Sequence, residues 1–305
     1  MTAFRVPSTT PASSECVILQ AEERRDAVLE VIRSAQRRIL LSFFRCTDFK
    51  VIDELGAAAG RGVRVALLLT PRAKGWKQRL EQMSSYLVDM GAEVRRYAGP
   101  VGKYHAKYLV ADDAALVASL NFTHKCFTST CDFLVVTRDA EVVRGLETLF
   151  AHDWETPRDP LPAWIQQSRL IVGPEHSRAR IEELFQHARR SIRIVDHKLR
   201  DPAIIRLLAA RERDGVEVRV LGRGAVPGLS SHGKLFLLDE DRAVIGSMSL
   251  ARGNLDGRRE AAIVVDNPAL VARLSDFFLK AALAPVAASP SGRVGEDEDD
   301  DDDEE

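Results

Sequence analysis

The sequence predicts an α/β fold assembled from two copies of one unit, and three observations carry that prediction. Apolar residues switch between helical and strand spacing along most of the chain. Segments recur at a fixed offset. An H-x-K-x4-D box occurs twice, as His105-Ala106-Lys107 ending in Asp112 and as His232-Gly233-Lys234 ending in Asp239.

The first unit opens on residues 21 to 37, where Ala27, Val28, Val31, Ile32 and Ala35 fall at helical spacing between charges. An apolar strand follows at Ile39 to Phe44, then a helix over residues 49 to 60 closed by glycine, then a strand at Val63 to Leu69. The box comes next. A short polar turn at Asp112-Asp113 and the apolar residues Ala114 to Val117 make its surroundings read as strand, hairpin, strand. On such a strand His105 and Lys107 share one face, as do His232 and Lys234.

The second unit repeats that order from Leu170. Helices are expected at Ala179 to Ala188 and Pro202 to Arg213, and strands at Ser191 to Val195 and Val216 to Leu221. Gly62-Val63-Arg64-Val65 returns 153 residues later as Gly215-Val216-Glu217-Val218. The boxes are 127 apart, and Asp132 to Glu260 and Phe150 to Phe278 are 128 apart, so the first unit holds 26 extra residues between its second strand and its box. That stretch, about Pro71 to Pro100, contains basic residues around Trp76 (Arg72, Lys74, Lys77, Arg79), a helix from Gln78 to Met90 and a strand near Glu93 to Tyr97. Basic residues around a tryptophan suit phosphates or a membrane surface; a solvated helix start with one partly buried aromatic is the plainer reading.

These features divide the chain into a disordered N-terminus (1–14), a first repeat (15–155), a proline-containing linker (156–168), a second repeat (169–283) and a disordered acidic tail (284–305). The formal charge of -2 hides an imbalance, because Glu296 to Glu305 is an unbroken run of ten acids. Without it, 43 basic side chains face 35 acidic ones, and a body of about +8 suits an anionic substrate. The tail reads as a solubilising segment or as a cover for a basic groove. Met1 to Ser14 has no apolar h-region, and no apolar run nears the about 18 residues that span a bilayer, so a soluble cytoplasmic protein with at most peripheral membrane contact is expected. The four cysteines (Cys16, Cys46, Cys126, Cys131) lack zinc-type pairing and read as buried or idle thiols. A cluster of Cys126, Cys131 and His124 is the weaker alternative.

One box alone would be a weak signal, but two boxes at equivalent places in a repeat, each followed by a small-Ser pair (Ala118-Ser119, then Gly246-Ser247), resemble the phospholipase D superfamily over nearly the whole ordered chain. That resemblance implies two pseudo-twofold-related α/β repeats with mixed β-sheets and one active site at their interface. It implies His105 as nucleophile and His232 as general acid and base, with Lys107 and Lys234 supplying charge. Ser119, Asn121, Ser247 and Ser249 stand where the family holds phosphate oxygens, and Asp132 and Glu260 where it orients a histidine. Asp112 and Asp239 more plausibly pin the hairpin than touch substrate. The chain departs from the pattern at Asp132, shorter than the usual Glu, at Ala118, where Gly is common, and at Ser249, which replaces a second Asn.

The chemistry fits these residue types. A phosphodiester resists direct attack by hydroxide, so two displacements through a covalent intermediate are easier than one. One imidazole attacks phosphorus while the other, protonated, delivers a proton to the departing alkoxide. Two lysines supply the charge a metal would otherwise bring, so neither metal nor cofactor is expected. The substrate class stays open between a phospholipid, hydrolysed or transferred, and a nucleic acid, towards which Ser119-Leu120-Asn121-Phe122-Thr123 leans. A pseudoenzyme that only binds phosphorylated ligands is disfavoured by retention of both His, both Lys and both Ser. His197-Lys198 lies where α/β sites commonly form, as a rim contact or an exposed loop. His124, His152, His176 and His187 read as structural or exposed. The oligomeric state is not legible.

Overall fold

The computed structural model describes residues 14–71 and 75–284. The N-terminal stretch, the acidic tail, and Arg72 and Lys74 of the basic cluster lie outside the described residues.

The first half runs β1 (Glu15–Ile18), α1 (Ala21–Ser34), β2 (Arg38–Phe43), α2 (Phe49–Gly60), β3 (Arg64–Leu69), α3 (Lys77–Asp89), β4 (Glu93–Arg96), β5 (Lys103–Tyr104), β6 (Tyr108–Ala111), β7 (Ala114–Ala118), β8 (Thr130–Cys131), β9 (Leu134–Thr137) and α4 (Ala140–Glu155). The second runs β10 (Leu170–Gly173), α5 (Ser177–His187), β11 (Ser191–Val195), α6 (Pro202–Arg213), β12 (Glu217–Leu221), β13 (Ser230–Ser231), β14 (Leu235–Leu238), β15 (Arg242–Gly246), α7 (Arg252–Gly257), β16 (Arg258–Val265) and α8 (Pro268–Leu283). The sheets have equivalent orders, β1-β9-β7-β6-β2-β3-β4 and β10-β16-β15-β14-β11-β12, and β4 from the 26-residue insertion is the extra edge. Both are mixed: β2/β3 and β11/β12 run parallel, while the box hairpins β6/β7 and β14/β15 are antiparallel.

Local chemistry repeats with the topology. Asp48 and Asp201, 153 residues apart, cap α2 and α6 by accepting the first backbone N–H groups, and Asp139 and Asn267 do the same for α4 and α8. Gly62 (φ 83°) and Gly215 (φ 89°) turn the chain from helix into parallel strand through a left-handed conformation that suits glycine.

Strand alternation sorts the core into layers. Tyr108 and Val110 of β6 and Leu235 and Leu237 of β14 enter one central cluster shared by both halves, together with Leu146 and Phe150 of α4 and Leu274 and Phe278 of α8. Leu109 and Ala111 face an outer cluster with α1, α2 and α3, and Phe236 and Leu238 face another with α5 and α6. Because these strands are covered on both faces, they read as continuous apolar runs rather than alternating ones. α1 ends at Ser34 rather than Arg37, because Gln36, Arg37 and Arg38 give their N–H groups to the carboxylate of Asp112. Asp239 likewise accepts from Arg189, Arg190 and Ser191. Each box aspartate has positive φ (52°) and ties its hairpin to the loop entering the central parallel strand of its half.

Candidate active site

Two strand pairs cross between the halves and set the site. β5 runs parallel to the start of β16, pairing Lys103 with Arg258 and Tyr104 with Arg259, and β13 runs parallel to β8, pairing Ser230 with Thr130 and Ser231 with Cys131. Each couples the residues before a box histidine of one half to those before the orienting acid of the other. The backbone N–H of His105 then donates to Arg259 O at 2.8 Å, and that of Gly233 to Cys131 O. A Cβ on Gly233 would lie 2.4 Å from that carbonyl oxygen, so this crossing excludes a side chain. The histidines therefore precede strands β6 and β14 rather than sitting in them, and the crossing hydrogen bonds do the holding that a ladder would have done.

The consequence is a crossed arrangement. His105 Nδ1 lies 3.0 Å from both carboxylate oxygens of Glu260, and His232 Nδ1 lies 2.8 and 3.1 Å from those of Asp132. Lys107 Nζ is 2.9 Å from His105 Nε2 and donates to His105 O at 3.0 Å. Both histidines retain a little exposure, 12% and 11% of the side chain, whereas both acids have none. Imidazole edges thus reach solvent while their supports stay dry.

Burial pushes the pKa of His105 well down, and Lys107, Lys234, Lys103 and Arg258 push it further. Burial also lowers His232, but Asp132 opposes it. Asp132 is held below the ordinary carboxylate range because His232, Arg24 and Lys234 outweigh its burial, while burial raises Glu260 against the pull of Lys107. Lys107 is 1% exposed, and burial lowers its pKa well below that of a free ammonium. The cross-half effects of Lys107 on His232 and of Lys234 on His105 mark one electrostatic site.

The serines depart from the expectation of phosphate binding. Ser119 Oγ donates to Asp132 Oδ1 at 2.6 Å and accepts from Phe133 N at 2.9 Å, so its one proton is committed to the orienting acid. Ser247 Oγ bonds the backbone of Ala261 and stabilises the Glu260 carboxylate. Both hydroxyls are fully buried and hold the acids from behind. Asn121 Oδ1 and Ser249 Oγ, also buried, have no protein partner.

Several groups at the site escaped the sequence reading. Phe44 sits edge-on to His105 with ring centroids 4.9 Å apart, and Lys103 Nζ lies 4.9 Å above that ring. Arg45 packs between Phe44 and Trp76, at 5.3 and 4.9 Å. Trp76 is buried, where the sequence suggested only partial cover, and Arg79 caps its ring. Asn254 Nδ2 donates to Glu260 Oε1 at 3.1 Å, and Arg24 donates to Cys126 O and Thr130 O behind Asp132. The 153-residue offset could have found part of this: His197 and Lys198 stand where the first half has Phe44 and Arg45. His124, His152, His176 and His187 make local contacts with Arg25, Asp153 and Asp159 O, Val172 N, and Glu183 O respectively.

Comparison with known proteins fits this geometry. Residues 28–154 match the family model described as cardiolipin synthase, PLD-like domain. The human 5'-3' exonuclease PLD4 is 29% identical over 189 residues, half of this chain and 37% of that relative. Polyphosphate kinase from Porphyromonas gingivalis superposes with a TM-score of 0.72 at 20% identity, over 88% of this chain and 50% of the kinase. Phosphatidylserine synthase from Haemophilus influenzae Rd KW20 superposes with a TM-score of 0.70 at 12% identity, over 88% of this chain and 86% of the synthase. At those identities the two structures speak to the fold alone, and that fold is the two-repeat mixed α/β architecture described above. Among the described residues no helix is long and apolar enough to cross a membrane.

Proposed function

Because this chain is a member of the phospholipase D superfamily and an enzyme of its phosphodiesterase and phosphotransferase kind, we propose that it cleaves a phospholipid phosphodiester through a phosphohistidine on His105. The observation that carries the reading is the tautomer its contacts select. Nδ1–H donates to the Glu260 carboxylate, which leaves the lone pair on Nε2, the nitrogen beside Lys107 Nζ.

His105 Nε2 attacks phosphorus as the bond to the leaving oxygen breaks. His232, whose cationic form the ionised Asp132 supports, passes its proton to that oxygen and becomes neutral. It then takes a proton from water or an acceptor alcohol, whose oxygen displaces His105 and restores both imidazoles. Lys107 and Lys234 balance charge on the non-bridging oxygens, and the buried Ser249 hydroxyl, which has no protein partner, can donate to the same oxygens. His105 takes the attacking role because burial and the surrounding cations push its pKa well down, whereas at His232 the Asp132 carboxylate opposes the effect of burial.

The family model's description supports a lipid substrate. A nuclease of the same mechanism is the second reading, favoured by the human exonuclease match and by Lys103 and Arg258 beside His105. The test compares turnover of phosphatidylcholine vesicles and of single-stranded DNA in EDTA. Lipid turnover alone is expected; DNA turnover alone would move the enzyme to the second reading, and loss of all turnover that a divalent ion restores would overturn the mechanism.

A further inference from the structure

We propose that Cys126, Asp132 and His232 form a binding site for a thiophilic divalent ion, zinc in chemical class, and that filling it shuts the enzyme down. The Cys126 sulfur, a carboxylate oxygen of Asp132 and a ring nitrogen of His232 all lie within 4.8 Å of one another, and all three residues are buried. Thiolate, carboxylate and imidazole are the donors that borderline-soft ions take, and tetrahedral coordination sets such donors about 3.5 Å apart. The contraction required takes a rotation of the Cys126 side chain and an exchange of one of the Asp132 carboxylate's bonds to Ser119, Thr130 or His232 for the metal. The site is distinct from the Cys126, Cys131 and His124 grouping that the sequence offered as an alternative.

The repeat shows why only one half carries it. Cys126 and Asn254 are 128 residues apart, the same offset as Asp132 to Glu260, so the two side chains hold equivalent places. In one half-site an amide N–H donates to Glu260, which repels a cation. In the other the place is taken by a sulfur, which attracts one. Binding releases the thiol proton to solvent, and the resulting thiolate and the carboxylate together match a doubly charged ion.

Inhibition, though not the site itself, rests on the two-histidine reading. Whichever ring nitrogen the metal takes, His232 loses either the nitrogen that carries the transferred proton or the Asp132 contact that sets its tautomer. Lys107, Lys234 and Arg24 surround the cluster and oppose a cation, so occupancy is reversible and regulatory rather than resident.

The experiment titrates cobalt(II) into the untagged, EDTA-stripped full chain. It follows thiolate-to-cobalt absorption in the near ultraviolet, and then turnover of an activated aryl phosphodiester with zinc present. The acidic run at the C-terminus offers only oxygen donors and does not give that absorption. The wild type is expected to bind one cobalt with the thiolate band, lose at least tenfold in turnover with saturating zinc, and recover in excess EDTA. Cys126→Asn, which installs the other half's residue, is expected to lack the band and to turn over equally with and without zinc. If it does not fold, as judged by circular dichroism, Cys126→Ser carries the same comparison, and Cys131→Ser should keep the band. Absence of the band in the wild type, or its persistence without Cys126, overturns the site. A band with undiminished turnover overturns the inhibition. Failure of every protein to turn over substrate counts against the two-histidine reading while the absorption still decides the site.

Discussion

The two half-sites share one blueprint and differ in what stands behind the imidazole. His105 has Glu260, Asn254 and Ser247 at its back and Phe44, Lys103 and Lys107 around it. His232 has Asp132, held by Ser119 and Thr130 and neighboured by Arg24 and Cys126. The first set crowds cations against a buried ring and pushes its pKa well down; in the second, burial lowers the ring as well, but an ionised carboxylate opposes that fall. On the proposed mechanism, neighbours rather than the motif itself would set the nucleophile apart from the acid in this duplicated unit.

The comparison breaks most sharply at the histidines. His105→Ala is expected to lower turnover by about 10^4-fold or more and to leave no covalent intermediate. His232→Ala should still form a phosphohistidine on His105 from a diester with a phenolate leaving group, which needs no proton, but should fail to hydrolyse it. Alkaline quenching followed by mass spectrometry locates the label. Label on His232 in the His105→Ala protein, with none on His105 in the converse, would reverse the roles.

The acids come next, and they test the crossing. Glu260→Gln should slow labelling of His105 by roughly 10^2–10^4-fold, because the ring loses its tautomeric anchor, whereas Asp132→Asn should leave labelling from the activated substrate nearly intact and slow its hydrolysis. Pre-steady-state release of the phenol separates the two steps. Equal effects of both variants on the first step would mean that the half-sites are not differentiated.

Much of this was legible in the chain. The twin boxes, the offsets and the helix and strand order are local patterns, and helices α2 and α6 occupy the residues their periodicity marked. The box aspartates were readable as hairpin pins because a carboxylate at a tight turn meets nearby backbone donors. What stayed hidden depends on the crossing. Two-residue strands such as β5 and β13 have no periodicity, and their pairing with the other half follows from how the sheets stack. For that reason the sequence does not say which histidine each acid orients; the Ser119 bond to Asp132 lies within one half, and it stays hidden because a serine hydroxyl facing an acid 13 positions later has no local pattern. Phe44 gave no signal, since a single apolar residue at a strand end reads as core, and Cys126 was legible only as a buried thiol or beside Cys131 and His124, not beside Asp132 and His232.

Asn254 sharpens the comparison at a smaller scale. Its amide donates to Glu260, so it is a positioning residue, and Asn254→Ala should cost roughly 10–100-fold in turnover, felt in the labelling step. Asn254→Cys would place a thiol beside Glu260 and His105 as Cys126 stands beside Asp132 and His232. It should bring zinc sensitivity to a Cys126→Asn background if the donor set, and not some further feature of the second half-site, makes the metal site.

The smallest expected effect is a displacement of the pH profile. Burial first pushes the pKa of His105 down, and Lys107, Lys234, Lys103 and Arg258 add to it, while the Glu260 carboxylate lies against its Nδ1. Lys103 lies over the Phe44 ring rather than on the histidine, so it can be neutralised without touching a transferred atom. Removing its charge favours the imidazolium, which raises the pKa of His105, and the neutral nucleophile is then lost at a higher pH as the solution is acidified. Lys103→Gln should therefore move the acid limb of kcat/KM upward by a fraction of a pH unit and leave the rate on the plateau close to wild type, with the shift shrinking at high salt where the screening length falls to about 3 Å. If the acid limb reports His105, Asp132→Asn, a change on the other histidine, should leave it in place. A limb that moves with Asp132 and not with Lys103 would assign the free nucleophile to His232 and invert the comparison between the half-sites.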